Sequence, residues 1–338
     1  MHVVSSNGYL NMISIAKNQH YVPQFILRNF TVGGGKQIHV FDKHDEKSFK
    51  TNIRNIAAET GFYNFNIKDY EFTIEPGLCD LESSTCEAFE KIIKERAISH
   101  LDNDDMSKIA YFIAIQIYRT RYFRDKISDI SKEMSDRLRL YGSGLDQVSI
   151  PKPLGKKEIK DVSIKLILKG AEELIPHLLD KKWLLYETPE SDPFFISDNP
   201  VVRQNHKDFG PFWGNLGLAV TGIEVYFPLT KTLSLAMLCR SHEETFQDVF
   251  KKIGFLKKMM PGFERQLPVD MEWIENHRKG YNEGTAIQMT AQNVINHNSL
   301  QVKWSSRYVF SSNNNFSLVR EMIAADPTFK NGIKVKSS

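Results

Sequence analysis

The stretch His20-Tyr21-Val22-Pro23-Gln24-Phe25-Ile26-Leu27-Arg28-Asn29-Phe30 constrains the chain most. Proline fixes its own φ and pushes the residue before it toward extended backbone, so His20 to Val22 approach as a strand or loop. Pro23 then suits the first turn of a short helix. Ile26, Leu27 and Phe30 share one side of that helix and can dock on a core. His20 and Gln24 project from its N-terminal end, so one apolar anchor carries polar groups to the edge of the core.

The 338 residues suffice for one large domain or two smaller ones. A hydrophobic content of 41% with 25% charged residues is ordinary for a globular protein. The net charge of +3 does not by itself imply nucleic-acid binding, yet it leaves room for a local basic groove. Cys79, Cys86 and Cys239 make an odd set without CxxC spacing, which fits reduced, partly buried thiols in the cytoplasm. No apolar run approaches the roughly 18 residues a membrane helix needs, and the N-terminus has no signal-peptide pattern. Residues 1–18 read as an extension ahead of the first motif, with Met12 as an alternative start.

The pattern along the chain predicts an α+β fold with a small N-terminal antiparallel sheet, a central long-helix bundle and a second strand-rich section with C-terminal helices. "QIHVFDK" at 37–43 and "KSFKTNI" at 47–53 read as a hairpin, with "GFYNF" at 61–65 a third strand. Residues 78–100 read as a helix whose apolar side holds Leu78, Leu81, Thr85, Phe89, Ile92 and Ile93. Glu82 sits at the edge of that side, where a solvated and a functional role both fit; Glu87 is on the polar side. The longest helical pattern spans 102–142, capped at Asn103 or Asp104 and ended by Gly142 and Gly144. Residues 143–157 read as a linker-like loop, and 156–182 as a helix or helix pair bent or broken by Pro176. Strands are then expected at 182–188, 193–198, 222–230 and 233–239, with a long glycine-rich loop over 203–221. Helices at 241–258 and about 270–300, a strand at 307–311 and a helix at 316–325 complete one domain over 19–325, before a mobile tail at 326–338.

Two buried-face polar residues stand out. Gln116 and Arg119 fall in the stripe marked by Ile109, Phe112, Ile113 and Phe123. An amide and a guanidinium there are costly unless hydrogen-bonded, so they belong either to a structural network or to a pocket. Arg121 and Arg124 point elsewhere and read as solvated. In "ISDNPV", Asp198 and Asn199 end an apolar strand, which ordinary Asx-turn chemistry and a functional site both explain. No phosphate loop, GxGxxG, HExxH, GxSxG or CxxC pair occurs. His206, His242, His277 and His297 read as scattered surface or helix residues.

"HYVPQFILRNF" resembles the opening of a bacterial family, domain of unknown function 4238, the HYVP family. "FIAIQIYRTR" at 112–121 and "FFISDNPVV" at 194–202 fit it too, as do the weaker "VYFPLT" at 225–230 and "SSRYVF" at 305–310. The resemblance spans residues 19–312 and brings no established reaction. A place in bacterial phage defence is an association only.

The reading that follows is a hydrolase, a nuclease or phosphodiesterase, acting on nucleic acid or a nucleotide. His20 would be its acid or base and Arg119 its phosphate clamp. Asp198 would orient His20 or, with Glu82, hold Mg²⁺. Gln116 and Asn199 would position the substrate, together with Tyr21, Gln24 and Arg28. The alternatives are a non-catalytic ligand- or partner-binding sensor using the same pocket, and a purely structural network. His20, Gln24, Gln116, Arg119 and Asp198 are expected to converge, with Asp198 the acid opposite Arg119 and Glu82 its substitute.

Overall fold

The computed structural model describes residues 4–5, 18–68, 70–141, 151–209, 215–260, 262 and 271–333. Strand β1 (Val4–Ser5) is followed by β2 (Asn18–His20), and helix α1 (Gln24–Arg28) begins directly after Pro23. The 37–53 segment forms the expected hairpin, β3 (Gln37–Asp42) with β4 (Lys47–Asn52). Three short strands follow: β5 (Ala58–Thr60), β6 (Asn64–Ile67) and β7 (Tyr70–Thr73). The expected third strand of the hairpin is therefore shifted to 64–67, and it pairs with β7 rather than with the hairpin. β2 pairs antiparallel with β5, and β1 with β7. The expected N-terminal extension thus includes a paired strand; its remaining residues before Asn18 lie outside those described.

Two helices cross the centre: α2 (Glu75–Glu95) and α3 (Asn103–Tyr118). Asp102 caps α3 through the Asp105 N–H, and the Asp105 side chain returns a bond to the Asp102 N–H. The 102–142 pattern is not one helix. It breaks at Arg119–Thr120, and α4 (Arg121–Tyr141) begins as the Thr120 hydroxyl accepts from the Phe123 N–H. Gly142 and Gly144, with the first part of the expected 143–157 loop, lie outside the described residues. Beyond it, α5 (Lys156–Lys165) passes through a π-helical turn into α6 (Ala171–Leu179), which carries Pro176 without ending there.

The second half supplies β8 (Lys182–Glu187), β9 (Ile196–Ser197), β10 (Val202–Gln204), β11 (Glu224–Pro228) and β12 (Leu233–Leu238). Residues 210–214 of the expected 203–221 loop are outside the described set. Helices α7 (Arg240–Met259), α8 (Met271–Glu283), α9 (Ala291–Trp304) and α10 (Ser317–Ala325) follow, with β13 (Ile287–Gln288) after α8 and β14 (Tyr308–Ser311) after α9. The expected tail begins with a 3₁₀ turn at Pro327–Lys330.

Two larger sheets tie the chain ends together. One has the order β10-β11-β12-β8-β13, antiparallel except for β13 on β8. The other has the order β4-β3-β14-β9, so the N-terminal hairpin is completed by strands from the second half. Period-two alternation gives the five-stranded sheet two buried faces. Trp183, Leu185, Val225, Phe227, Leu235 and Met237 face the main core. There Phe112 of α3 meets Phe89 of α2 at 5.4 Å and Phe227 at 6.0 Å between ring centroids. Leu184, Tyr186, Ala236 and Leu238 face a second cluster that includes Tyr281 of α8 and Val294 of α9. Ile26, Leu27 and Phe30 of the opening stretch are buried in the main core, as their spacing requires.

Candidate functional site

The break after α3 decides where Arg119 goes. Its backbone still closes the last turn onto the Ile115 carbonyl, but its φ and ψ of −86° and 9° leave the helix. The side chain is 1% exposed and enters the junction of β2, the 61–64 turn and α2. Nε donates to the Tyr63 hydroxyl at 3.1 Å. Nη2 donates to the His20 carbonyl at 3.0 Å and to Glu82 Oε1 at 2.6 Å. One turn earlier Gln116, also buried, donates to the Tyr21 carbonyl at 2.9 Å. Two polar residues of one helix face thus bind consecutive carbonyls of the opening stretch, and the Tyr63 hydroxyl adds a bond to the His20 carbonyl.

Glu75, Cys79 and Glu82 lie four and three residues apart on α2, hence on one helical face. Glu75 and Cys79 both feel the charges of Glu82 and Arg119. Burial pushes the Glu75 carboxyl up to about 7; Arg119 pulls it down and Glu82 pushes it further up. Burial opposes the Arg119 charge, but Tyr63 and Glu82 outweigh it and its pKa rises. Burial lowers the His20 pKa, partly offset by the Ile53 backbone and the Glu82 charge. The centre therefore holds an imidazole whose charged form burial disfavours, a guanidinium bonded to the Glu82 carboxylate, and a carboxyl that titrates near neutrality.

Three atoms here are buried without a hydrogen-bond partner: His20 Nε2, Gln116 Oε1 and Arg119 Nη1. Such groups are uncommon in folded proteins, and each costs about 1–3 kcal/mol. The side of the centre nearest solvent is formed by Cys79, which is exposed, and by Glu82, whose side chain is 23% exposed. Four surface cavities of 260 to 810 Å³ are lined by residues other than His20, Gln116 and Arg119.

Asp198 is engaged elsewhere. Its carboxylate accepts the backbone N–H groups of Ser306, Arg307 and Tyr308, each at 2.8 Å. Burial raises its pKa against those bonds and the charge of Lys43. Tyr21 spans the two places: its carbonyl takes Gln116, while its hydroxyl, raised by burial, feels Asp198. The acid on Arg119 is thus Glu82, the residue expected as substitute. Asn199 donates to the Trp304 carbonyl, and Ser197 to Gln301, so the Asp-Asn-Pro turn is an internal lock onto α9. Gln24 is half-buried, and Arg28 is exposed and felt by Cys86. Among the described residues no group of three or more His, Cys, Asp or Glu is arranged to hold a metal ion. Glu82 and Asp198 have separate partners and do not form the Mg²⁺ pair expected of them.

The family model of a protein of unknown function, DUF4238, matches residues 18–315. The chain belongs to the DUF4238 family. No curated protein and no solved structure matches it. Within this DUF4238 chain, sequence reasoning missed Tyr63, Glu75 and Cys79. The spacing of Glu75, Cys79 and Glu82 was an available signal, because it sets all three on one face. Arg124 also differs from expectation: it donates to the Phe62 carbonyl at 2.6 Å and lies 3.4 Å over the Phe62 ring, while Arg121 is exposed. No helix among the described residues is long and apolar enough to cross a membrane.

Proposed function

We propose that His20, Glu75, Glu82 and Arg119 form an acid–base centre that hydrolyses phosphodiesters of a nucleic acid or nucleotide. The observation that carries this reading is the set of buried, unpartnered atoms His20 Nε2, Gln116 Oε1 and Arg119 Nη1, on residues linked through the consecutive carbonyls of His20 and Tyr21. They offer a base, an acceptor and a cationic donor together. Neutral His20 would take a proton from water as its oxygen bonds to phosphorus. Glu75, still partly protonated near neutral pH, would give a proton to the leaving oxygen as its bond to phosphorus breaks. Arg119 Nη1 would donate to a phosphoryl oxygen, Gln116 Oε1 would orient the water, and Glu82 would hold the guanidinium in place. The proposed setting is the cytoplasm, in bacterial defence against phage, which phage plating on cells carrying the wild-type or His20→Ala chain would test.

The biochemical test is incubation with RNA, single- and double-stranded DNA and nucleotides, with and without Mg²⁺ or Mn²⁺, beside His20→Ala and Glu75→Gln. Hydrolysis should fail in His20→Ala, and Glu75→Gln should lose the fall in rate as pH rises through about 7. Equal turnover by His20→Ala would overturn the assignment. One observation favours a second reading, a non-catalytic sensor that grips an anion. Arg119 already spends Nε and Nη2 on Tyr63, His20 and Glu82 and is 1% exposed, which suits a holding role better than repeated turnover. Ligand binding without turnover in every condition would support it.

A further inference from the structure

The second face of the five-stranded sheet carries a partly open cavity of 260 Å³, flanked by α7, α8 and α9. It lies across the sheet from α3 and is separate from the Arg119 centre. Tyr186, Tyr226, Phe246, Trp273, His277 and His297 form half of its wall, and Gln204, His206, Asn293 and Asn296 add polar groups. Their spacing comes from simple periodicities. Tyr186 and Tyr226 occupy outward positions of β8 and β11, and Trp273 and His277 are one turn apart on α8.

The rings are angled about the space. Tyr186 and Tyr226 are tilted by 33°, Tyr186 and His277 by 47°, and Tyr226 and His297 by 71°. A parallel slot would suit a flat base; an angled cage presents ring faces to a compact group. No lysine or arginine is among the described residues of the wall. Both buried imidazoles are held neutral by burial, His297 down at about 3. His297 binds Ser234 through Nε2 at 2.8 Å and keeps Nδ1 without a partner.

Behind the wall stands Glu224, whose side chain is 10% exposed. Its Oε2 accepts from the Tyr226 hydroxyl at 2.6 Å and from Gln204 at 2.5 Å, and both of these residues line the cavity. Its other oxygen lies 3.5 Å from His242 Nε2, which donates to the Gly222 carbonyl at 3.0 Å. No lysine or arginine pairs with Glu224 among the described residues. Its charge reaches the Tyr186 and Tyr226 hydroxyls. A buried carboxylate balanced by no lysine or arginine is costly, and aromatic faces attract cations.

We propose that this cavity is a binding site for a small organic cation, a quaternary or alkylated ammonium, held by cation–π contact and by the charge of Glu224. The wall has no lysine or arginine to hold an anion, and a neutral guest of the same shape makes no use of the Glu224 charge. The site needs no reaction at the Arg119 centre and stands whether or not that centre is catalytic.

Isothermal titration calorimetry of the full chain with choline, and with its uncharged isostere 3,3-dimethylbutan-1-ol, tests the proposal. Choline should bind at least about tenfold more tightly, a difference of about 1.4 kcal/mol. Glu224→Gln should narrow that gap, and Trp273→Leu should weaken choline binding whether or not Glu224→Gln folds. Circular dichroism confirms the fold of each variant. Equal affinity for the two probes, or no binding of choline and of tetramethylammonium, overturns the proposal. So does binding of adenosine in place of either cation, which would make the cavity a nucleobase site.

Discussion

Arg119 and Glu82 meet at 2.6 Å across the gap between α3 and α2, with the guanidinium almost fully buried and the carboxylate partly in solvent. Removing the acid leaves a charge that burial does not tolerate. Breaking a buried pair costs about 3–5 kcal/mol, and water reaching the Glu82 side reduces that toward about 2–3 kcal/mol. Glu82→Ala should lower the urea midpoint accordingly at an unchanged slope. Arg119→Met with Glu82→Ala should cost less than the two single losses added together. Strict additivity in that double-mutant cycle would show that the pair is not coupled.

Glu75 makes stability depend on pH. Its folded pKa is raised from 4.5 to about 7, so between those values the folded state binds more protons than the unfolded one. The sign follows: its contribution is fully present below 4.5 and is lost as pH rises through about 7. Urea melts of the wild type and Glu75→Gln should show a fall across this window that the variant lacks, with the variant relatively more stable at the alkaline end. Parallel pH profiles would mean that Glu75 titrates as an ordinary carboxylate.

Much of the fold was legible because hydrophobic period and turn chemistry report it directly. The hairpins β3–β4 and β11–β12 and the apolar stripe of α3 arise from local pattern. What was not legible is long-range. Nothing local in "PFFISD" says that β9 pairs with β14, more than a hundred residues on, rather than joining β8. The break at Arg119–Thr120 was hidden because helical period continues through it to Phe123; the Thr120 cap was the local sign. Within the centre, Gln116 and Arg119 were readable as polar residues on a buried stripe. Their partners were harder to find. Tyr63 comes from a short turn held by Gln19, which accepts the Tyr63 N–H at 2.6 Å, a contact with no sequence spacing to announce it. Asp198 went astray because a strand-end acid looks the same whether it meets a guanidinium or three backbone N–H groups.

Asp198 should therefore act on stability and leave chemistry alone. An asparagine at that position turns a donor toward N–H groups that now meet an acceptor, and each unmet buried group costs about 1–3 kcal/mol. Asp198→Asn should destabilise the fold by about 2–4 kcal/mol. Hydrogen exchange should speed up most at the amides of Ser306, Arg307 and Tyr308. Any activity that depends on His20 should survive per folded molecule. Loss of that activity in a variant with wild-type exchange at 306–308 would return Asp198 to the site.

On the far face of the sheet α8 packs closely against β13. Gly280 sits where a Cβ would collide with the Ile287 side chain and stand 2.9 Å from the Thr285 carbonyl oxygen. Ile287 is fully buried and its strand pairs with β8, so neither neighbour can step aside cheaply. Gly280→Ala gains helix propensity of about 1 kcal/mol, yet overpacking costs about 1–3 kcal/mol or more. The net effect should be destabilising, read as a lower thermal midpoint. Ile287→Val in the same chain should recover part of the loss, because it removes a methyl group beside the new Cβ. The Thr285 carbonyl is backbone and cannot be trimmed, so recovery should stay incomplete; full rescue would mean that the side-chain clash alone sets the cost.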